Sequence, residues 1–150
     1  MTTDGYSLRF SFEPFIEPST RAGRRYARPA VDSEVVGVTA ISGKETLIAA
    51  TREARAVLCE AGEVNFLSGP GKGVMLIKIK KGGDRVIGFV ASSSDRDLLT
   101  VETNRGATQT ISTAKYEVVG RGGKGRELLK RGQFTQILPR PVEVPLLEET

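Results

Sequence analysis

A repeat of about 50 residues runs through this chain and restricts the folds open to it. Residues 51–73 (TREARAVLCEAGEVNFLSGPGKG) align without a gap with residues 103–125 (TNRGATQTISTAKYEVVGRGGKG) at a spacing of 52, and both end in Gly-Lys-Gly. An earlier copy begins at residues 3–5 (TDG), and residues 35–38 match residues 86–89 at a spacing of 51. A repeat of this length predicts an architecture in which each copy packs against its neighbours.

Each copy has the pattern of short β-strands. Segments rich in Val, Ile, Leu and Thr are bounded by turn residues, at 47–50, 54–59, 74–79, 86–91, 98–103, 108–112 and 134–138. Residues 82–84 (GGD) predict a hairpin loop between the third and fourth of these strands, and residues 104–106 (NRG) predict another turn. With about four strands in each copy, the sequence predicts an all-β, propeller-like fold of about three blades.

The chain of 150 residues is long enough for one folded domain, which we predict over residues 1–138 with repeats at about 1–46, 47–98 and 99–138. Residues 139–150 (PRPVEVPLLEET) are rich in proline and acidic residues, which predicts an extended, partly mobile tail. No apolar run approaches the roughly 20 residues of a membrane-spanning helix, and the amino end lacks the pattern of a signal peptide. We therefore expect a cytoplasmic protein with no membrane partner.

The composition removes several kinds of chemistry. The chain has no His, which excludes imidazole from general-base, triad and metal-ligand roles. Cys59 is the single cysteine, so no intrachain disulfide forms, and its apolar surroundings predict a buried thiol in a reducing compartment. We expect no catalytic residue, no metal and no cofactor.

Positive charge is concentrated in one part of the chain. The net charge is only +4, but residues 68–131 contain thirteen basic and six acidic residues. Within this part, residues 121–125 (RGGKG) have an echo at residues 71–73 (GKG), and a looser echo lies earlier in the chain, at residues 21–25. Glycines let the backbone approach an anion closely, and Lys and Arg supply the charge that a phosphate requires. A single such motif would indicate a tight turn with a solvated lysine, but three equivalent copies favour contact with a nucleic-acid backbone.

Further basic residues follow each of these motifs. Lys78, Lys80 and Lys81 alternate with isoleucines, which predicts lysines on the outward face of a strand, and Arg126, Lys130 and Arg131 repeat the pattern. Lysines that protect an exposed edge strand are the alternative. A Walker A nucleotide site is excluded because Gly, not Ser or Thr, follows Lys72 and Lys124.

Two other candidate sites have weaker support. Tyr26 follows two arginines, as a tyrosine that forms a covalent link with DNA would, but it occupies a repeat position held elsewhere by Ile77 and Leu129. We therefore predict that Tyr26 is a packing residue. Asp95 and Asp97 lie in a polar segment, which predicts solvated charges at a hairpin tip rather than an acid-base pair.

The motifs resemble the repeats in the C-terminal domains of the A subunits of bacterial DNA gyrase and topoisomerase IV. The resemblance spans residues 2–138 and is carried by residues 3–10 (TDGYSLRF), 67–74 (LSGPGKGV), 84–88 (DRVIG) and 121–125 (RGGKG). It implies a β-pinwheel that bends or wraps DNA around a basic rim and so guides strand passage and supercoiling. Residues 121–125 resemble the core of the gyrase A-subunit box, with other residues in place of its first two.

From the residues and this resemblance we expect a non-catalytic, nucleoid-associated module. Its partners would be double-stranded DNA, the rest of a type IIA topoisomerase A subunit and, through it, the B subunit. The predicted DNA-binding residues are Arg21, Arg24, Arg25, Lys72, Lys78, Lys80, Lys81, Arg121, Gly122, Gly123, Lys124, Gly125, Arg126, Lys130 and Arg131. Since they offer charge rather than base-reading groups, we expect phosphate contacts with little sequence specificity.

Two other functions are consistent with the sequence. A propeller-like scaffold for protein interactions would use its lysines only for solubility, and would scatter them over the surface. An RNA-binding β-module is disfavoured because the sequence shows no aromatic residues near the basic loops that would stack on single-stranded bases.

Overall fold

The computed structural model describes residues 1–140, which contain nine β-strands and two 3-10 helices. The 3-10 helices are Glu13–Phe15 and Ala61–Glu63, and residues 1–140 contain no α-helix. The strands are β1 (Tyr6–Ser7), β2 (Thr46–Thr51), β3 (Arg55–Glu60), β4 (Val74–Met75), β5 (Val86–Ser92), β6 (Leu99–Thr103), β7 (Thr108–Ile111), β8 (Arg126–Glu127) and β9 (Phe134–Leu138).

The strands form three antiparallel sheets. A central sheet has the order β5-β2-β3-β8, a second has the order β7-β6-β9, and β1 pairs with β4. Strands are exchanged between repeats, because β8 lies after β6 and β7 in sequence but joins β3, and β4 joins β1 rather than the strands around it. The all-β prediction is confirmed, and the strands predicted near β2, β3, β5, β6, β7 and β9 are present within one residue at either end.

Three predictions about local structure are wrong. The strand predicted over 74–79 ends at Met75, because the Leu76 and Ile77 N–H groups both donate to the Gly5 carbonyl and do not continue the ladder with β1. Residues 82–84 do not close a hairpin, since β4 and β5 pair with β1 and β2 instead of each other. The segment that contains Asp95 and Asp97 connects two different sheets and is not a hairpin tip.

The repeat is visible in the hydrogen bonds of one turn. Thr2, Thr51 and Thr103 each accept, through the backbone carbonyl, a hydrogen bond from the residue three positions later, over 3.0–3.1 Å. That third residue has a positive φ in every copy, at Gly5, Ala54 and Gly106. The first copy therefore begins at Thr2, one residue before the start predicted from the sequence. The turn predicted at residues 104–106 joins β6 to β7.

The central sheet is buried on both faces. On β2, Leu47 and Ala49 pack on one side with Leu76, Ile77 and Val86, whereas Ile48 and Ala50 pack on the other side with residues of the β7-β6-β9 sheet. Burial on both sides explains why β2 is a continuous apolar run instead of an alternating one. Cys59 is fully buried, as predicted, and burial, followed by the nearby Glu63, raises the pKa of its thiol to about 12.

Glu45 holds the turn that leads into β2. Its carboxylate accepts hydrogen bonds from the Ser42 N–H at 2.6 Å, the Ser42 hydroxyl at 2.8 Å and the Gly43 N–H at 2.9 Å. These donors, the Ser42 N–H first, lower the pKa of Glu45 to about 2 from an ordinary value near 4.5. The carboxylate thus stabilises the fold above pH 4.5, and this contribution is lost as the pH falls from 4.5 towards 2.

We predict that Glu45→Gln lowers the urea midpoint of unfolding at pH 7. The difference from the natural chain should shrink below pH 4.5 and vanish only below pH 2, where Glu45 is protonated in the folded chain as well as in the unfolded one. Glu34→Gln is a suitable control, since only the backbone of that exposed residue forms hydrogen bonds. An equal difference at pH 7 and pH 2.5 would contradict this role of the carboxylate.

The described part of the chain ends two residues after β9. Arg140 donates to the Asp97 carboxylate at 2.8 Å. The predicted tail at 139–150 lies outside the described residues, apart from these first two positions.

Candidate nucleic-acid interface

The two Gly-Lys-Gly loops enter the sheet of the preceding repeat. Each ends in a glycine with positive φ, Gly73 at +85° and Gly125 at +75°, immediately before β4 and β8. A Cβ on Gly73 would overlap the carbonyl oxygen of Ser7, and one on Gly125 would lie 2.8 Å from that of Ala56. Both positions therefore require glycine, which explains in structural terms why the motif repeats.

Backbone hydrogen bonds connect the basic segment of one repeat to the Gly-Lys-Gly loop of the next. The Arg28 N–H donates to the Gly71 carbonyl at 2.8 Å, and the Lys78 N–H donates to the Gly123 carbonyl at the same distance. Each bond joins the backbone of a cationic residue to the glycine that precedes Lys72 or Lys124. The same backbone hydrogen bond therefore connects the first repeat to the second and the second to the third.

Three of the predicted lysines line one cavity. A depression of about 470 Å³ is bordered by Lys78, Lys80 and Lys124, together with Arg55. Acidic residues also reach this depression, of which Glu127 lies 3.8 Å from the Arg55 guanidinium. Within residues 1–140 the three lysines form no ion pair, so their ammonium groups remain available to a phosphate.

Aromatic rings lie beside three of the predicted cations. The Lys72 ammonium lies 4.0 Å from the centroid of the Tyr6 ring, and the guanidinium of Arg126 lies 5.4 Å from that of Tyr116. The Arg24 guanidinium lies 6.0 Å from the Phe15 centroid. The expectation that the basic loops lack aromatic neighbours is wrong, because Tyr6 reaches Lys72 from another repeat, and Phe15 and Tyr116 reach Arg24 and Arg126 from nine and ten residues earlier. Contacts of this kind hold a cation in place without neutralising it.

Arg121 differs from the other predicted cations because its side chain is bonded to the protein. Its Nε donates to the Glu63 carbonyl at 3.0 Å, and Nη1 donates to the Met75 carbonyl at 3.3 Å. In the same segment the Gly122 N–H donates to the Leu76 carbonyl at 2.7 Å. Arg121 therefore holds its loop against the preceding repeat, and its charge remains at an exposed position.

The remaining predicted residues have fewer contacts. All twelve predicted cations are exposed, among them Arg21, Arg25, Lys81, Lys130 and Arg131. Sequence reasoning missed Arg28 and Arg55. The signal for Arg28 was the repeat itself, because its hydrogen bond to Gly71 makes it the equivalent of Lys78.

Tyr26 packs against the Phe10 ring, with centroids 5.3 Å apart and planes at 17°, as expected of a packing residue. The link through Arg28 places Ala27, rather than Tyr26, at the position equivalent to Ile77, one residue away from the predicted alignment. The Asp97 carboxylate accepts hydrogen bonds from the Ser93 N–H and hydroxyl, which lower its pKa, so it is tied to its own loop. No cluster of three potential metal ligands occurs in residues 1–140.

Solved structures share this fold. The C-terminal domain of DNA topoisomerase IV superimposes with a TM-score of 0.76 and 19% identity over 91% of this chain and 44% of that one. The DNA gyrase A C-terminal domain gives a TM-score of 0.72 and 20% identity over 93% and 47% of the two chains, and the E. coli ParC C-terminal domain gives 0.65 and 18% over 92% and 60%. No protein-family model and no curated protein matches the sequence.

These neighbours establish the fold of the chain as that of the β-pinwheel domains of topoisomerase IV and gyrase A, as the sequence motifs predicted. The chain spans about half the length of the first two domains that it matches. None of the described residues belongs to a helix long and apolar enough to cross a membrane.

Proposed function

We propose that this chain is a non-catalytic module that binds duplex DNA through the phosphates. The observation that carries the proposal is the repeated link from Arg28 to Gly71 and from Lys78 to Gly123. This link joins the backbone of Arg28 to the residue before Lys72 and that of Lys78 to the residue before Lys124, and we call these four exposed cations the row. A curved polyanion could therefore contact one repeat after another, whereas a scaffold that used lysine only for solubility would not require this regular arrangement.

The chemistry of the interface favours binding with little sequence specificity. Lysine ammonium groups and glycine-rich backbone contact phosphates rather than base edges. Arg28, Lys72, Lys78 and Lys124 all lie outside the strands and helices, so no such element carries them into a groove of the duplex. Any preference among DNA sequences would then come from the ease with which the duplex bends along the row.

The wider context is part of the same proposal. The solved neighbours are C-terminal domains of topoisomerases. By likeness to them, we propose that this module works with a type IIA topoisomerase A subunit and, through it, the B subunit, at the nucleoid in the cytoplasm. It would guide the DNA segment for strand passage, while cleavage and ATP hydrolysis would take place in other parts of that enzyme.

A salt titration tests the DNA-binding step. Fluorescence anisotropy would follow binding of the chain to a labelled 40-base-pair duplex at several salt concentrations. We expect the logarithm of the affinity to fall linearly with the logarithm of the salt concentration. The slope should be about −2.7 or steeper, because each phosphate neutralised by Lys72, Lys78 or Lys124 contributes about −0.9. A slope near zero, or no binding at low salt, would contradict the proposal.

Because Tyr6 lies beside Lys72 and Tyr116 beside Arg126, the experiment should include a single strand of the same length. Duplex binding should be stronger, since the row offers several phosphate contacts and few rings for stacking. Tighter binding of single-stranded RNA or DNA would replace the duplex proposal with a single-strand one.

A further inference from the structure

The contact between the second and third repeats, which we call the second junction, carries charges that the contact between the first and second repeats does not. The register of β3 with β8 pairs Arg55 with Glu127, and the register of β1 with β4 pairs Tyr6 with Met75. Arg55 and Glu127 are therefore the equivalents of Tyr6 and Met75. Two charged residues at the second junction replace two uncharged residues at the first.

Lys80 is a further cation that the first junction lacks. Its carbonyl accepts a hydrogen bond from the Gly83 N–H at 3.1 Å, and the Ala30 carbonyl accepts one from the Ser33 N–H at 3.0 Å. This shared turn makes Ala30 the equivalent of Lys80. Because the row has two cations at each junction, Lys80 is a positive charge at the second junction that the repeat does not require.

Lys124 lies in a different environment from its equivalent, Lys72. The Lys72 ammonium lies 4.0 Å from the centroid of the Tyr6 ring, which holds it in place. At the second junction Arg55 takes the position of that ring and lines the same depression as Lys124. Within residues 1–140, the Lys124 ammonium therefore has neither an aromatic ring nor a carboxylate against it.

The carboxylates that reach the depression have other partners in the protein. Glu53 accepts a hydrogen bond from the side-chain amide of Gln133 at 2.7 Å. The Asp84 carboxylate accepts one from the Glu53 N–H at 2.9 Å, and Glu127 lies 3.8 Å from the Arg55 guanidinium. The lysine ammonium groups of the depression are thus left without an ion pair in the described part of the chain.

The size and charge of the depression fit a ligand with several adjacent negative charges. Its volume of about 470 Å³ lies within the range of pockets that hold small molecules. Positive charges that line a concave surface reinforce one another, and an anion that contacts all three lysines would relieve their repulsion. Sugars separate the phosphates of a DNA strand, whereas the phosphates of a polyphosphate are directly linked. Only linked phosphates can enter one depression together.

We propose that this depression, which we call the junction pocket, binds a free chain of two or three linked phosphates. Lys78, Lys80 and Lys124 would each donate a charge-assisted hydrogen bond to a phosphate oxygen. Because Lys78 and Lys124 belong to the row, a bound polyphosphate would occupy part of the DNA interface and weaken duplex binding. That consequence rests on the proposed function, whereas the pocket itself does not.

The probe is inorganic triphosphate, titrated into the full chain without DNA at constant ionic strength and followed by calorimetry. We expect saturable one-to-one binding that is tighter than the binding of sulfate. Two neighbouring lysines provide matched variants, because Lys80 lines the pocket and Lys81, which is also exposed, does not. Lys80→Gln should weaken triphosphate binding about tenfold, and Lys81→Gln should leave it within about twofold. Thermal unfolding would show that both variants are folded.

ATP is the second probe, because a nucleotide carries the same phosphate chain. Tighter binding of ATP than of triphosphate would identify a nucleotide as the ligand, and tighter binding of triphosphate would identify an inorganic polyphosphate; both results support the pocket. The pocket is refuted if triphosphate binds no more tightly than sulfate, or if the Lys80 and Lys81 variants lose affinity equally. Triphosphate binding without duplex binding would contradict the proposed function alone, and duplex binding without triphosphate binding would contradict the pocket alone.

Discussion

Gly73→Ala is expected to destabilise the folded chain by about 3 kcal/mol, which is a large effect for a single added methyl group. Gly73 has φ +85°, which costs a residue with a Cβ about 1 kcal/mol or more. The added methyl would also overlap the Ser7 carbonyl oxygen, and backbone cannot move aside as a side chain can. Urea unfolding followed by circular dichroism would measure the change.

Gly69→Ala is the matched control in the same loop. Gly69 does not have a positive φ, and no atom lies within 4 Å of the Cβ that Ala would add. Its free energy of unfolding should change by less than about 0.5 kcal/mol. If the two variants proved equally stable, the close approach of the loop to β1 would be refuted.

Replacing Lys72, Lys78 and Lys124 together by Gln should produce the largest change in DNA affinity. If each lysine neutralises one phosphate, the log–log salt slope should become shallower by about 2.7, and affinity at low salt should fall by about tenfold or more. Glutamine keeps much of the side-chain length and removes the charge. The duplex titration described above would measure both quantities.

The control removes the same charge elsewhere. Lys44, Arg105 and Lys115 are exposed and lie outside the Gly-Lys-Gly loops, so their replacement by Gln changes the net charge by the same three units. If the cations of the row contact the phosphates directly, this control variant should keep most of the salt dependence of the natural chain. Equal losses in the two triple variants would show that only overall charge attracts DNA, which would contradict a defined row.

The sequence was sufficient to predict the longer strands, but not the two-residue strands β1 and β8, the length of β4, or which strands pair. Apolar patterns follow burial, so the segments around Leu47, Val86 and Phe134 were correctly assigned. Pairing depends on contacts between residues far apart in the chain, and the short β4 joins β1 about 70 residues earlier instead of the adjacent β5.

The candidate site was predictable to a similar degree. The repetition of Gly-Lys-Gly indicated the loops and several of their lysines, because a conformation that needs glycine leaves a trace in the sequence. The rings beside Lys72 and Arg126 were not predictable, since Tyr6 belongs to another repeat and Tyr116 to a separate loop. The hydrogen bonds that the Arg121 side chain donates to backbone carbonyls leave no pattern in the sequence.

The exchange of β4 and β8 between repeats has a consequence for any shortening of this protein. The segment that recurs in the sequence is not a segment that folds by itself. The second repeat contributes β4 to the sheet of the first, and the third repeat contributes β8 to the sheet of the second. A truncation after residue 98 would remove β8, although β3 lies far upstream of the cut, and would leave β3 with a bare edge. The free energy of unfolding would therefore not fall in equal steps as repeats are removed. Loss of a repeat would also leave an unpaired strand edge in the repeat before it.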